Sequence, residues 1–125
     1  MKNSVKAIIG IFVIAIIIAV LISFQNNVEP GKYDQFAQCL SDKGAIFYGS
    51  YWCQHCQSQK QMFGDSVKLL PYKECSLPDR AGQNKLCNDA KIESYPTWEF
   101  SDGSRLSGVL PLEELAQKTG CELSK

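Results

Sequence analysis

The sequence predicts an α/β domain with a central mixed sheet, carried behind one N-terminal membrane-spanning helix. Three observations predict it. Ala7 to Phe24 is an uncharged run of mostly Ile, Val, Ala and Leu. Beyond it, helical and strand patterns alternate over residues 33–125 and finish with an Asp-Gly hairpin signature. Within that alternation an apolar run, Ala45-Ile46-Phe47-Tyr48-Gly49, feeds Cys53-Gln54-His55-Cys56 at the start of a stretch of good helix formers.

The first run covers eighteen residues, a helix about 27 Å long and enough to cross a hydrocarbon core. Lys2 and Lys6 precede it, and the first charge after it is Glu29. The positive-inside tendency then places the N-terminus in the cytoplasm and everything from about Gln25 outside a cytoplasmic or inner membrane, single-pass. A cleaved signal peptide is the rival reading, but the run is long and Ile22-Ser23-Phe24-Gln25 is a poor small-x-small cleavage site. Either way the remainder is exported. Residues 1–24 form the cytoplasmic stub and anchor, with the membrane met through residues 7–24. Residues 25–32, with Pro30-Gly31, form a polar tether, and residues 33–125 suffice for one small domain. Without Lys2 and Lys6 the chain carries 11 basic and 13 acidic residues. No basic patch recommends nucleic acid, and there are no repeats or low-complexity tracts.

Within the domain, a helix over Tyr33–Asp42 carries Phe36 and Leu40 four apart and ends at Gly44. A strand at Ala45–Tyr48 follows, then the helix opened by Cys53 and running to about Phe63, then a strand at Pro71–Glu74. A short helix over Lys85–Ala90 precedes a strand at Thr97–Phe100. Ser101-Asp102-Gly103-Ser104 turns the chain into a strand at Arg105–Val109. Leu112–Thr119 closes as a helix with Leu112, Leu115 and Ala116 on one face.

The Cys-x-x-Cys carries the chemistry. Its first cysteine meets unsatisfied N–H groups at the positive end of a helix, which stabilises a thiolate. His55, when protonated, adds a second favourable charge. Cys56, one turn on, is placed to close a disulfide. Zinc is the competing use of such a pair, but the remaining cysteines lie at least twelve positions from one another and His55 is the only histidine. A purely structural bridge is disfavoured, because a three-residue hop across a helix start is strained and reducible. The reading is a redox-active dithiol with no metal and no cofactor beyond its own disulfide.

Export makes an even count of six cysteines read as disulfides. With Cys53–Cys56 as the active pair, three pairings remain. Cys75 and Cys87 flank a Pro-, Gly- and Asn-containing segment that a bridge would pin, and Cys39 and Cys121 are then left near the two domain ends. Cys75 and Cys87 also admit a second reading, a redox pair that relays electrons.

Two separated motifs resemble the thioredoxin fold. Tyr51-Trp52-Cys53-Gln54-His55-Cys56 is similar to its Trp-Cys-x-x-Cys active site, and Ile92-Glu93-Ser94-Tyr95-Pro96-Thr97 to its Ile-x-x-x-Pro-Thr segment. The resemblance implies a thioredoxin-like three-layer sandwich and a cis peptide before Pro96. It also implies that Pro96, and with it Tyr95, presents backbone groups to a bound substrate peptide. Phe36-Ala37, Gly44-Ala45, Tyr48-Gly49, Tyr72, Glu74-Cys75, Trp98-Glu99 and Ser107-Gly108 add a nearer resemblance over Tyr33–Gly120. It is to the thioredoxin-like domain attached to bacterial vitamin K epoxide reductase homologues, which carries an extra cysteine pair placed like Cys75 and Cys87. That resemblance implies an exported thiol-disulfide oxidoreductase acting on protein thiols. It would be reoxidised by a quinone-linked membrane oxidase of the vitamin K epoxide reductase or DsbB type, expected on a separate polypeptide.

Two departures bear on direction. Thioredoxins carry a buried acid on the strand before the active site, and the matching position here is Phe47. Their Gly-Pro between the cysteines is Gln54-His55 here, and a histidine before the second cysteine resembles the oxidising DsbA-like enzymes. Both favour donating disulfides. A substrate thiolate is expected to attack the exposed sulfur of Cys53, with Tyr51 lining an apolar peptide-binding surface, Trp98 in the core, and Trp52 a candidate for the same surface that the sequence leaves open between surface and core. A reductase or isomerase, and a non-catalytic assembly module, are the alternatives on the same fold.

Overall fold

A computed structural model describes residues 1–25 and 30–123 of the chain. The first helix, α1 (Lys2–Gln25), contains the 20-residue stretch Ser4–Ser23, long and apolar enough to cross a membrane and unburied by the rest of the chain. Of the tether expected over residues 25–32, residues 26–29 lie outside the described residues. Its end is held to the domain rather than hanging from it. Gly31 donates its N–H to Asp34 Oδ2 at 2.9 Å, and Tyr33 donates its N–H to Ser66 Oγ at 2.9 Å.

Helix α2 (Asp34–Asp42) places Phe36, Ala37 and Leu40 on one buried face, as the four-residue spacing requires. Strand β1 (Ile46–Gly49) leads to α3 (Gln54–Gln61), a 3-10 helix (Gly64–Leu69) and β2 (Tyr72–Glu74). Helix α4 (Lys85–Asp89), strands β3 (Thr97–Glu99) and β4 (Arg105–Ser107), and α5 (Leu112–Thr119) complete the chain. The sheet runs β2-β1-β3-β4. β1 and β2 are parallel, with Phe47 beside Tyr72 and Gly49 beside Glu74, and the other pairs are antiparallel, with Phe47 opposite Trp98.

Strand alternation sends successive β1 side chains to opposite faces. Phe47 joins Trp98 and the apolar residues of α2 and α5 in the main core, its ring stacked on Trp98 at 4.8 Å between centroids and edge-on to Tyr72 at 5.1 Å. Tyr48 lies on the other side with Cys75, Cys87 and Ile92. Helices thus cover both faces of a mixed four-stranded sheet, with the Cys-x-x-Cys helix following β1. The fold is α/β and thioredoxin-like.

Two disulfides close it. Cys39–Cys121 ties α2 to the residue just beyond α5, across a sequence separation of 82. Cys75–Cys87 ties the end of β2 to α4 across a separation of 12.

Most elements shift by a residue at one or both ends, and three of the differences have a plain cause. The Cys53 helix stops at Gln61 and tightens into the 3-10 helix, whose start buries Ser66 against Gly31. The strand expected to Val109 stops at Ser107, because Gly108 takes φ +98 and donates its N–H to the Pro96 carbonyl at 2.9 Å. The strand expected to Phe100 stops at Glu99, where the hairpin turn begins with Phe100 N–H bonded to the Ser104 carbonyl.

Candidate active site

Gly49 ends β1, and a turn through Ser50-Tyr51-Trp52 delivers Cys53 to the first position before α3. Cys53 is the N-cap residue: its backbone is extended, and its sulfur accepts the Cys56 N–H at 3.2 Å. That sulfur answers one of the orphan donors of the first helical turn, as a capping oxygen would. Both cysteines are free thiols. Cys56 is fully buried and Cys53 is 8% exposed, so the expected exposed sulfur is a nearly covered one. The correction has a simple cause, since capping turns the Cys53 side chain toward its own helix. Cys53 is still the more accessible of the two.

Burial pushes the Cys56 thiol up to about 12. A hydrogen bond with Cys53 acts in the same direction, and a backbone hydrogen bond from Ser50 and the charge of Lys60 oppose them. Gly49 allows this placement. A Cβ there would stand 2.9 Å from Cys56 Sγ and 3.0 Å from Tyr72 Cε2, so only glycine lets the strand, the thiol and the ring meet.

Of the expected substrate-binding residues, Tyr51 and Trp52 directly precede Cys53, and Tyr95 packs against the core cluster that holds both cysteines. The Tyr95–Pro96 peptide is cis. Pro96 is fully buried and its carbonyl is already bonded to Gly108 N–H. Among the described residues no hydrogen bond reaches the Tyr95 backbone N–H or carbonyl, whereas the Pro96 carbonyl is taken. Trp52 and Tyr51 are 46% and 42% exposed, and Trp98 is completely buried. His55 lies on the exposed side of the first turn of α3.

Two features of the site are not evident in the motif. The loop closed by Cys75–Cys87 is one wall of it. Trp52 Nε1 donates to Ser76 Oγ at 2.8 Å, Tyr51 Oη donates to the Pro78 carbonyl at 2.9 Å, and Tyr95 Oη donates to Gln83 Oε1. Trp52 and Tyr95 also meet edge to face, with centroids 6.1 Å apart. The proposed bridge between Cys75 and Cys87 was the available signal, since a pinned loop must lie against something. The second feature is Gln59, fully buried on α3. Its Oε1 accepts the Leu110 N–H at 2.7 Å and the Trp98 Nε1–H at 3.4 Å, and its Nε2 donates to the Leu110 carbonyl at 3.1 Å. A buried amide so fully satisfied fixes the Cys-x-x-Cys helix against the segment leading to α5. A glutamine among polar helix residues gave no sign of it.

Among the described residues no cluster of three or more metal-ligating side chains occurs. No family model matches the chain. The chain is similar to the thiol-disulfide oxidoreductase LTO1 of Arabidopsis thaliana, 46% identical over 94 residues that cover 71% of this chain and 24% of that protein. It therefore spans about a quarter of the length of this curated relative. A thioredoxin-like fold, a buried dithiol at a helix N-terminus and similarity to a protein named for thiol-disulfide exchange all fall on one chain.

Proposed function

We propose that this chain is a membrane-anchored, extracytoplasmic thiol-disulfide oxidoreductase that donates disulfides to exported proteins through Cys53 and Cys56. The observation that carries the reading is the N-cap sulfur of Cys53 with the Cys56 N–H directed at it. An N–H aimed at that sulfur favours the reduced pair, and a pair whose reduced form is favoured is an oxidant. The similarity to LTO1 supports the same chemistry. Lys2 and Lys6 before the apolar helix support an inside N-terminus and an outside domain.

In the proposed cycle a substrate thiolate attacks Cys53 Sγ of the oxidised pair and Cys56 leaves as the thiol. The substrate segment pairs with the open backbone groups of Tyr95, over the exposed rings of Tyr51 and Trp52. The substrate's second thiol then attacks its own sulfur in the mixed disulfide. This releases the oxidised substrate and the reduced pair, two electrons having passed to the protein. A quinone-linked membrane oxidase, of the vitamin K epoxide reductase or DsbB type, removes those electrons. Cys75 and Cys87 act as a pin for the loop rather than a relay: both sulfurs are fully buried, in a cluster on the far side of β1 from the main core.

Transfer of the disulfide tests this directly. The oxidised full chain in detergent, mixed with an equimolar reduced peptide bearing two cysteines, should convert the peptide to its disulfide form while Cys53 and Cys56 become thiols. Peptide that stays reduced beside an oxidised Cys53–Cys56 pair contradicts the reading.

A further inference from the structure

The acid missing from the Phe47 position has a counterpart on the neighbouring strand. Glu74 is half-buried at the end of β2, in register with Gly49, the residue against which Cys56 Sγ packs. Tyr72 is the side chain that meets both places. Its ring edge and Cys56 Sγ converge on Gly49, and its hydroxyl donates to Glu74 Oε2 at 2.6 Å. Ser76 N–H bonds Glu74 Oε1 at 2.8 Å, so both carboxylate oxygens are held in place.

We propose that Glu74 is the proton carrier for Cys56, taking the thiol proton through the Tyr72 hydroxyl as the disulfide closes. The assignment rests on the redox reading of Cys53–Cys56 and adds to it the residue that manages the second cysteine. The need for a carrier comes from Cys56 itself, a completely buried thiol held protonated at neutral pH. Such a thiol cannot attack until its proton leaves, and as a leaving group it must be given one.

The groups facing Cys56 are few. From α3 come Cys53 and Lys60, from β2 Tyr72, and from the loop before β3 Tyr95; Glu74 reaches the site through its hydrogen bond from Tyr72. Lys60, its ammonium 3.5 Å from the Tyr72 ring centroid, is a cation without a lone pair to accept a proton. Tyr95 donates its hydroxyl to Gln83. Burial and the Glu74 hydrogen bond raise Tyr72, so its hydroxyl stays protonated and can pass a proton on without resting as a phenolate. Glu74 is the remaining base.

The balance is simple. In closure, Cys56 gives its proton to the Tyr72 oxygen while Tyr72 gives its own to Glu74. The Cys56 thiolate then attacks Cys53 Sγ of a mixed disulfide, the new S–S bond forms, and the bound thiol departs with both electrons of the old bond. Opening by a substrate thiolate runs the same path in reverse.

The test uses the full chain in detergent. The reduced pair is mixed with oxidised glutathione, and rapid quench with mass spectrometry follows two steps: mixed-disulfide formation at Cys53, then glutathione release as Cys56 closes. Release from the wild type should vary little between pH 6 and 8. Glu74→Gln should slow release by about 100-fold at pH 7, the usual scale of a positioned base. Its rate should then climb about tenfold per pH unit as hydroxide takes over. Tyr72→Phe should follow Glu74→Gln, and Glu74→Asp should recover part of the rate. Wild-type release with a wild-type pH profile in Glu74→Gln overturns the assignment. So does equal slowing of both steps, since a carrier for Cys56 acts on closure alone. Slow release in Glu74→Gln but not in Tyr72→Phe overturns the path through the hydroxyl. A wild type that forms the mixed disulfide and never releases glutathione defeats the redox reading itself.

Discussion

Cys53→Ser should abolish dithiol oxidation, lowering the rate of peptide oxidation by about 1,000-fold or more. It removes the one sulfur that receives the substrate, and no neighbouring group can stand in for a covalent partner. Cys56→Ser should behave differently. With Cys53 intact and no resolving thiol beside it, the variant should accumulate mixed disulfides on Cys53, visible as discrete higher-mass species that reductant removes. The asymmetry follows from burial, since Cys56 is fully enclosed behind Gly49 and Tyr72 and Cys53 keeps a small accessible face. Equal trapping by both variants would contradict the assigned order of the two sulfurs. Both variants keep the disulfides, so a loss of activity in Cys53→Ser is readable beside an unchanged fold.

Replacing Cys39 and Cys121 together with alanine should cost more stability than any other pair. The bridge closes a separation of 82 residues, for which loop-closure entropy gives about 4.5 kcal/mol. Cys75–Cys87 closes a separation of 12 and should be worth about 3 kcal/mol by the same argument. Urea unfolding of the full chain in detergent, followed by the fluorescence of the buried Trp98, measures both. The functional order should be the reverse. Ser76, Pro78 and Gln83 hold Trp52, Tyr51 and Tyr95, so loss of Cys75–Cys87 should weaken peptide oxidation under conditions where the domain is still folded. Loss of Cys39–Cys121 should leave the rate of the folded fraction near wild type, because that bridge joins α2 to the segment after α5 and closes neither the dithiol turn nor the loop that holds Trp52, Tyr51 and Tyr95. A Cys75–Cys87 variant with full activity would contradict the loop's place in the site.

Much of this architecture is legible in the residues because local signals and tertiary demands agree. The spacing of Phe36 and Leu40, the apolar run into Gly49 and the Leu112–Thr119 pattern each bury the face they advertise. The remainder depends on contacts between elements distant in sequence. Gln59 looks like any polar helix residue until Leu110, 51 positions on, comes to meet it. Glu74 looks like the exposed end of a short strand until parallel pairing sets it beside Gly49. The resemblance around Pro96 implies a peptide-binding backbone, but only the turn at Gly108 shows that the Pro96 carbonyl is already taken. Burial of Cys53 likewise follows from its capping geometry, which the Cys-x-x-Cys spacing alone does not reveal.

Whether the Cys53–Cys56 pair gives disulfides or takes them is read from its reduction potential. The full chain in detergent is equilibrated with glutathione buffers, alkylated, and read by mass spectrometry with Cys39, Cys75, Cys87 and Cys121 quantified separately. A potential of about −120 mV is expected, that of a pair which hands its disulfide to exported proteins. A potential of about −270 mV would overturn the oxidase reading and make the chain a reductant in need of electrons from another source.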